Sequence, residues 1–246
     1  MKCGIEEKNW KNIYEFLCTK KGLHTSAEDT IRRFIEAIWY MVRSGIQWRL
    51  LPSKYGSWRS VHKRFKRWQK AGIWKEIMDN FVDADMEWVM MDSTIVRAHS
   101  SCTGFYQERE ALGKSKGGFT TKIHILADAL GNPLKFILTA GQRNDITQAI
   151  TLIETIKNSS VLADKGYDSN DVIEHLKKNN CKIVIPPRAN RKEKRLYDKV
   201  LYQERNVIER LIGKMKHFRR IACRFDKSAS SFLAFLYFVG ALIWLR

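Results

Sequence analysis

Apolar residues recur at helical spacing through the first third of the chain and then give way to short continuous runs. Ile5, Trp10, Ile13, Phe16 and Leu17 mark a first helix, closed by a break at Gly22. A second starts at Ser26 or Glu28 and runs from Asp29 to Ser44. Its Ile31, Phe34, Ile35, Ile38, Trp39 and Val42 share one face, and Gly45 serves as C-cap. Turns around Pro52 and Gly56 lead to a third helix capped by Ser57 or Ser60 and ended by Gly72, with Ile73 to Phe81 as a short fourth. Val61, Phe65 and Trp68 form one side of the third helix, and Lys63, Arg64, Lys66, Arg67 and Lys70 cover the rest.

Near residue 87 the period changes. Glu87 to Ser93 reads as a short apolar strand running into Asp92. After a loop holding Gly104 and the pair Gly117-Gly118, strands 119–127 and 134–139 form a hairpin turning at Leu130 to Pro133. Asp145 to Lys157 reads as helix, Ser160 to Asp164 as a strand ending on an acid, Asp168 to Lys178 as helix and Lys182 to Pro186 as strand. The proline-led, basic segment 186–195 is expected to be exposed or to order only on a partner. These elements predict an all-α domain over 1–86 and, over 87–246, an α/β domain with a mixed five-stranded sheet between helical layers.

The last third is dominated by Tyr202 to Lys227, which reads as one amphipathic helix passing into a basic segment. Val207, Leu211, Met215 and Phe218 fall on one side of its wheel. Tyr202, Arg205, Glu209 and Lys216 lie within roughly 60° of one another on a different side. Taken alone, that row is a solvated face with helical ion pairs. The apolar run 232–245 has 14 residues, short of the roughly 20 that a membrane span requires, and is expected as a core helix behind the amphipathic one, anchored on the sheet.

Charge changes the picture. The 246 residues carry a formal net charge of +18, and residues 188–227 alone hold 14 Lys or Arg against 5 Asp or Glu, half of that excess. Such a balance calls for a polyanion. The cations interleave with aromatics on folded elements, which favours nucleic acid over an anionic membrane. Helix, turn and basic helix in the first domain fit a helix-turn-helix DNA reader; a small bundle with a solvated basic face fits them too. Five scattered cysteines, without CxxC or zinc spacing, read as reduced thiols of a cytoplasmic protein.

Two acids then stand out. Asp92 and Asp164 both close short buried strands, where a rigidly held carboxylate lies beside its neighbour if the strands are adjacent. Two such groups repel unless cations sit between them, and hard oxygen ligands suit Mg²⁺ or Mn²⁺. Glu209 would complete a site for two ions, ~4 Å apart, that act on a phosphodiester. Asp128, Asp145, Asp168 and Asp171 read as turn or helix-cap residues. Arg97 and His99, just past the first strand, fit a DNA-facing position or a plain surface loop. His217, Arg219 and Arg220 extend the basic end toward a phosphate backbone.

The spacing Tyr202, two residues, Arg205, three residues, Glu209, six residues, Lys216 is also a family signature. With it go MDSTIVRAH, GGFTTKIHILADALGNPLKFILTAGQRND, ADKGYD, IPPRANRK and KHFRRIACRFDK. The chain resembles bacterial insertion-sequence transposases of the DDE superfamily, in the insertion-sequence-five family, over nearly its whole length. The resemblance implies a ribonuclease H-like catalytic domain preceded by a small helical DNA-binding domain. In it Asp92, Asp164 and Glu209 are the catalytic, metal-holding acids, with two Mg²⁺ or Mn²⁺ ions per site. Element ends are cut by metal-bound water, and the freed 3′-OH then attacks target DNA. Arg205 and Lys216 contact phosphate, Tyr202 packs or hydrogen-bonds beside them, and Lys63, Arg64 and Arg67 lie on the N-terminal DNA-binding helix. The implied partners are double-stranded transposon ends and target DNA, on which the chain works as a homodimer or higher, with no membrane. A nuclease that cuts without joining, or a catalytically silent DNA-binding repressor, are the alternatives.

Overall fold

The computed structural model describes residues 4–23, 27–102, 110–115, 118–192 and 194–246; Cys3, Ser26, Gly104 and Gly117 lie outside them. The chain divides into two compact units. One comprises Met1–Val82, His99–Phe105 and Met215–Arg246, and the other Asp83–Ala98 and Tyr106–Lys214. This differs from a simple split at residue 86, because the C-terminal helices group with the N-terminal ones.

In the helical unit, α1 (Glu7–Cys18), α2 (Glu28–Ser44), α3 (Trp58–Lys70) and α4 (Ile73–Asn80) follow the apolar spacing closely. Gly45 ends α2 in the left-handed region at φ 68°, its N–H donating to Met41 O at 3.0 Å. A Cβ there would lie 3.1 Å from Phe225 Cε2 and 3.2 Å from Arg219 Cβ, a tight fit added to the left-handed backbone that itself calls for glycine. The apolar run becomes α10 (Ala229–Trp244), capped by Ser228, whose hydroxyl accepts from Ser231 N. It packs on the aromatic faces of α3 and α4, with Phe235 stacked on Phe65 at 4.6 Å and Phe238 edge-on to Trp74 at 5.6 Å, a partner that its own apolar run does not specify. A helix apolar on every side has to be enclosed, and the aromatic faces of α3 and α4 supply the walls. Among the described residues no helix is long and apolar enough to cross a membrane.

Arg220, expected to meet DNA, is instead 2% exposed in this unit. Its fork donates to both carboxylate oxygens of Asp226 at 3.0 and 3.1 Å and to Ile46 O at 2.9 Å, while the rings of Trp48 and Phe235 lie within 6 Å of its guanidinium. Three of its donors and the faces of its guanidinium are thus spent inside the fold.

The second unit is built on a mixed sheet. β1 (Trp88–Ala98) pairs antiparallel with β3 (Gly118–Ala127), which pairs antiparallel with β4 (Pro133–Ala140) and, at its start, with the short β2 (Gly113–Ser115). On its other side β1 runs parallel to β5 (Ser160–Leu162), and β5 parallel to β6 (Lys182–Val184). Three antiparallel strands continued by two parallel ones, ordered β4-β3-β1-β5-β6, make the ribonuclease H-like arrangement. The expected helix at 145–157 is a 3-10 turn, Asp145–Gln148, followed by the short α5 (Ala149–Ile153). With α6 (Asn170–Lys178) it covers one face, closing a core of Val89, Met91, Leu126, Leu152, Val161 and Tyr167.

Two local expectations give way. β1 does not stop at its acid: the β-branched Thr94, Ile95 and Val96 keep it paired with β3 as far as Arg97↔Thr120. The stretch from Tyr202 is likewise not one helix. α7 (Lys199–Gln203) ends in a tight turn, with Arg205 N–H bonded to Tyr202 O at 3.1 Å, before α8 (Asn206–Lys216) and a short α9 (Arg219–Ala222). Three-residue hydrogen bonds replace four-residue ones there, and the Tyr202 ring lies in edge contact with Tyr197.

Removing the partner of a buried guanidinium leaves an uncompensated charge. Asp226→Ala is expected to lower stability by about 3–5 kcal/mol, read from the denaturant midpoint. A loss below about 1 kcal/mol would show that Arg220 reaches solvent.

Candidate active site

Strand register brings two of the three predicted acids together. β1 and β5 pair as Trp88↔Ser160, Val89↔Val161 and Met90↔Leu162, and the parallel pairing ends there. Asp92 and Asp164 each lie two residues beyond that last pair, at the same level of the sheet. Asp92 is held mid-strand by the antiparallel ladder, opposite Ile125. Asp164 heads a tight turn, its Oδ1 accepting from Gly166 N at 2.7 Å. A Cβ at residue 166 would come within 2.8 Å of that oxygen, so glycine is what lets the peptide close on the acid.

The third acid comes from α8, whose Ile208, Leu211 and Met215 are buried while Glu209 is exposed. Val207, at the start of α8, lies against Gly131 in the β3–β4 turn. Arg205 joins the acids: NH1 donates to Asp92 Oδ2 at 2.9 Å and NH2 pairs with Glu209. Asp92 Oδ1 accepts the Ser93 N–H at 2.7 Å. Burial raises the Asp92 pKa; the Ser93 amide and Arg205 oppose the rise, and the charges of Asp164 and Glu209 add to it. An acid so placed attracts cations, and Arg205 is the one present. Among the described residues, however, no three acids, histidines or cysteines are gathered closely enough to form a ready-made metal cage.

The other predicted residues are dispersed. Arg97 lies exposed on β1 and Lys216 exposed at the end of α8. In the helical unit Lys63, Arg67, His99 and Arg219 are exposed, with the His99 ring 5.0 Å from Phe225. Arg64 is half-buried over the Phe34 ring at 5.2 Å. Tyr202 is half-buried, in edge contact with Tyr197.

Two polar clusters near the acids went unforeseen. Beside Asp92, the Ser93 hydroxyl donates to Asp145 Oδ1 at 2.8 Å, and Lys122 Nζ pairs with the same oxygen at 2.7 Å. Tyr167 is enclosed nearby; burial, then the charges of Asp145, Asp92 and Asp164, push its phenol pKa far up, so it stays protonated. Asp168, expected as a helix cap, is fully buried and bound by Arg191 Nε at 2.6 Å, Arg195 NH2 at 3.2 Å and Arg188 N at 2.8 Å. Burial works against its charge, but those donors outweigh it and hold the carboxyl below its ordinary pKa. Ser169 performs the capping, accepting from Val172 N. Arg188, Arg191 and Arg195 are therefore spent on the fold, and nothing local in the sequence marks Asp168 as their partner, since they lie 20, 23 and 27 residues away.

Residues 83–244 match the family described as "Transposase DDE domain", and residues 5–78 match "Putative transposase of IS4/5 family". The chain belongs to the DDE transposase family. The "Putative transposase for insertion sequence element IS6501" of Brucella ovis is 37% identical over 130 residues, covering 52% of this chain and 99% of that protein. The "Putative transposase for insertion sequence element IS402" of Burkholderia cepacia is 34% identical over 128 residues, covering 47% of this chain and 58% of that protein. Among solved structures, a Mos1 transposase paired-end complex with left transposon end aligns over 81% of this chain and 78% of that one, at 12% identity and a TM-score of 0.29. Both insertion-sequence proteins are thus relatives of this DDE transposase over about half its length.

His124, on the same sheet face as Ser93, gives a pH test. Its Nε2 lies 2.8 Å from Thr139 Oγ1, and burial pushes its pKa down from 6.5 to about 4. A base whose pKa falls on folding supports the native state fully above pH 6.5 and progressively less down to about pH 4. Between pH 7.5 and 5, wild type should lose about 2 kcal/mol more than His124→Gln, measured by urea unfolding. Parallel losses in the two proteins would show that His124 is protonated in the folded state.

Proposed function

We propose that this transposase cuts the ends of its insertion sequence and joins the freed 3′-OH ends to target DNA, with Asp92, Asp164 and Glu209 as its catalytic acids. The observation that supports the reading is that Asp92 and Asp164 each follow the Met90↔Leu162 pair by two residues, near enough for the Asp164 charge to act on Asp92, while Arg205 pairs with both Asp92 and Glu209. These donors fit two Mg²⁺ or Mn²⁺ ions: all are hard carboxylate oxygens, the Asp92 pKa is raised by burial first and then by the charges of Asp164 and Glu209, and one cation, Arg205, already pairs with two of them. Asp92, Asp164 and Glu209 would hold the ions, which when bound supply an activated oxygen nucleophile and stabilise the leaving oxygen.

The chain's own cations do the rest. Arg205 pairs with both Asp92 and Glu209 and opposes the burial that raises the Asp92 pKa, and its planar fork is suited to a phosphate oxygen as well as a carboxylate. Lys216, beyond Glu209 on α8, and Arg97, on β1, are exposed for backbone contact, as are Lys63, Arg67, His99 and Arg219 of the helical unit. Arg64 lends its half-buried guanidinium to packing on Phe34 as much as to DNA, and Tyr202 packs on Tyr197. Bringing two element ends together calls for at least a dimer on double-stranded DNA.

Labelled element-end DNA incubated with the protein, Mg²⁺ and a target plasmid tests this. Joined product is the expected outcome; nicking alone would identify a nuclease, and a mobility shift without cutting a DNA-binding repressor. Asp92→Ala, Asp164→Ala and Glu209→Ala should each abolish cleavage while leaving binding of end DNA largely intact. Near wild-type cleavage by any one of them removes that acid from the site.

A further inference from the structure

We propose that Asp168 is a positioning residue: by binding Arg188, Arg191 and Arg195 it fixes the turn from which Asp164 acts. The inference rests on the reading of Asp164 as an active-site acid. Asp164 is oriented by the Gly166 N–H, so its place depends on the Lys165–Gly166 peptides. Those peptides are clamped from outside. Arg188 donates NH2 to Gly166 O at 2.7 Å and Nε to Lys165 O at 3.2 Å, a fork closed on two consecutive carbonyls. Arg188 is tied in turn to Asp168, through its own N–H to Oδ2 at 2.8 Å. Arg191 and Arg195 complete the carboxylate's shell, Arg191 also reaching Asn170 Oδ1 at 2.9 Å and Arg195 reaching Ile185 O at 3.0 Å.

The result is a closed circuit: Asp164, Gly166, Arg188, Asp168, and back along the chain through Asp168 N–H to Lys165 O at 3.2 Å. Asp168 is its only acidic anchor among the described residues, and its side chain is wholly enclosed, so it has no access to DNA. A cap would have sufficed to start α6, and Ser169 already provides one. A buried carboxylate with charged donors on both oxygens defines position strictly, because any displacement leaves charge unpaired.

Asp168→Asn keeps the shape and removes the charge. Hydrogen exchange should be about tenfold faster or more at the Gly166 and Arg188 amides, with β3 amides such as Ile125 unchanged. The Mn²⁺ concentration giving half-maximal end cleavage should rise about tenfold, the effect of losing a group that orients a metal ligand. Unchanged protection at Gly166, or equal loss at Gly166 and Ile125, overturns the proposal, since the first leaves the turn in place and the second is general destabilisation. If wild type cleaves no DNA with Mn²⁺, the functional reading fails while the exchange comparison still decides the role of Asp168. Should Asp168→Asn not fold, Arg191→Gln removes one donor from the same carboxylate and is scored by the same two amides.

Discussion

Two carboxylates brought near each other at the ends of a strand pairing repel, and the local backbone around Asp92 and Asp164 supplies the donors that offset this. The parallel register of β1 and β5 sets Asp92 and Asp164 level, and backbone hydrogen bonding leaves the strands no freedom to slide apart. The cost is met locally by donors: the Ser93 amide on Asp92, the Gly166 amide on Asp164, and the Arg205 guanidinium between Asp92 and Glu209.

Much of the positive charge carried by the arginines of residues 188–227 is spent inside the fold. Arg188, Arg191, Arg195, Arg205, Arg220 and Arg224 all spend hydrogen bonds inside the fold, on Asp168, Asp92, Glu209, Asp226 or backbone carbonyls. Lys192, Lys194, Lys199, Lys214 and Lys216, from the same stretch of chain, are exposed. A rigid planar fork is suited to fixed, partly dry partners, whereas a hydrated ammonium on a flexible stem suits a polyanion that moves along a surface. The composition alone therefore overstates the charge available to DNA.

What could be read from the sequence was what short-range physics decides. Apolar spacing located α1 to α4, Gly45 and Ser57 marked helix ends, and Leu130 to Pro133 marked the hairpin turn. Asp92, Asp164 and Glu209 could be singled out because apolar strands and an amphipathic helix flank them. Long-range partners were not legible. Nothing adjacent to Arg220 announces Asp226 and two aromatic walls, nothing in GYDS announces three arginines some 20 residues on, and α10 carries no mark of which apolar surface it will cover. The break at Arg205 is similar: helical propensity favours continuity, and a distant carboxylate on β1 is among the contacts that compensate the interruption.

The helical unit draws its first four helices and α10 from opposite ends of the sequence, with the whole sheet encoded between them. During synthesis, then, the aromatic faces of α3 and α4 emerge long before the helix that covers them. Residues of the sheet can pair while those faces still lack their lid, and closing the unit means joining segments about 150 residues apart. Assembly of this kind has high contact order and leaves apolar surface exposed for a time on the nascent chain. A protein arranged in this way completes its N-terminal half only after the acids of its sheet have been made, so a chain broken off early would have neither a closed helical unit nor a hidden apolar face.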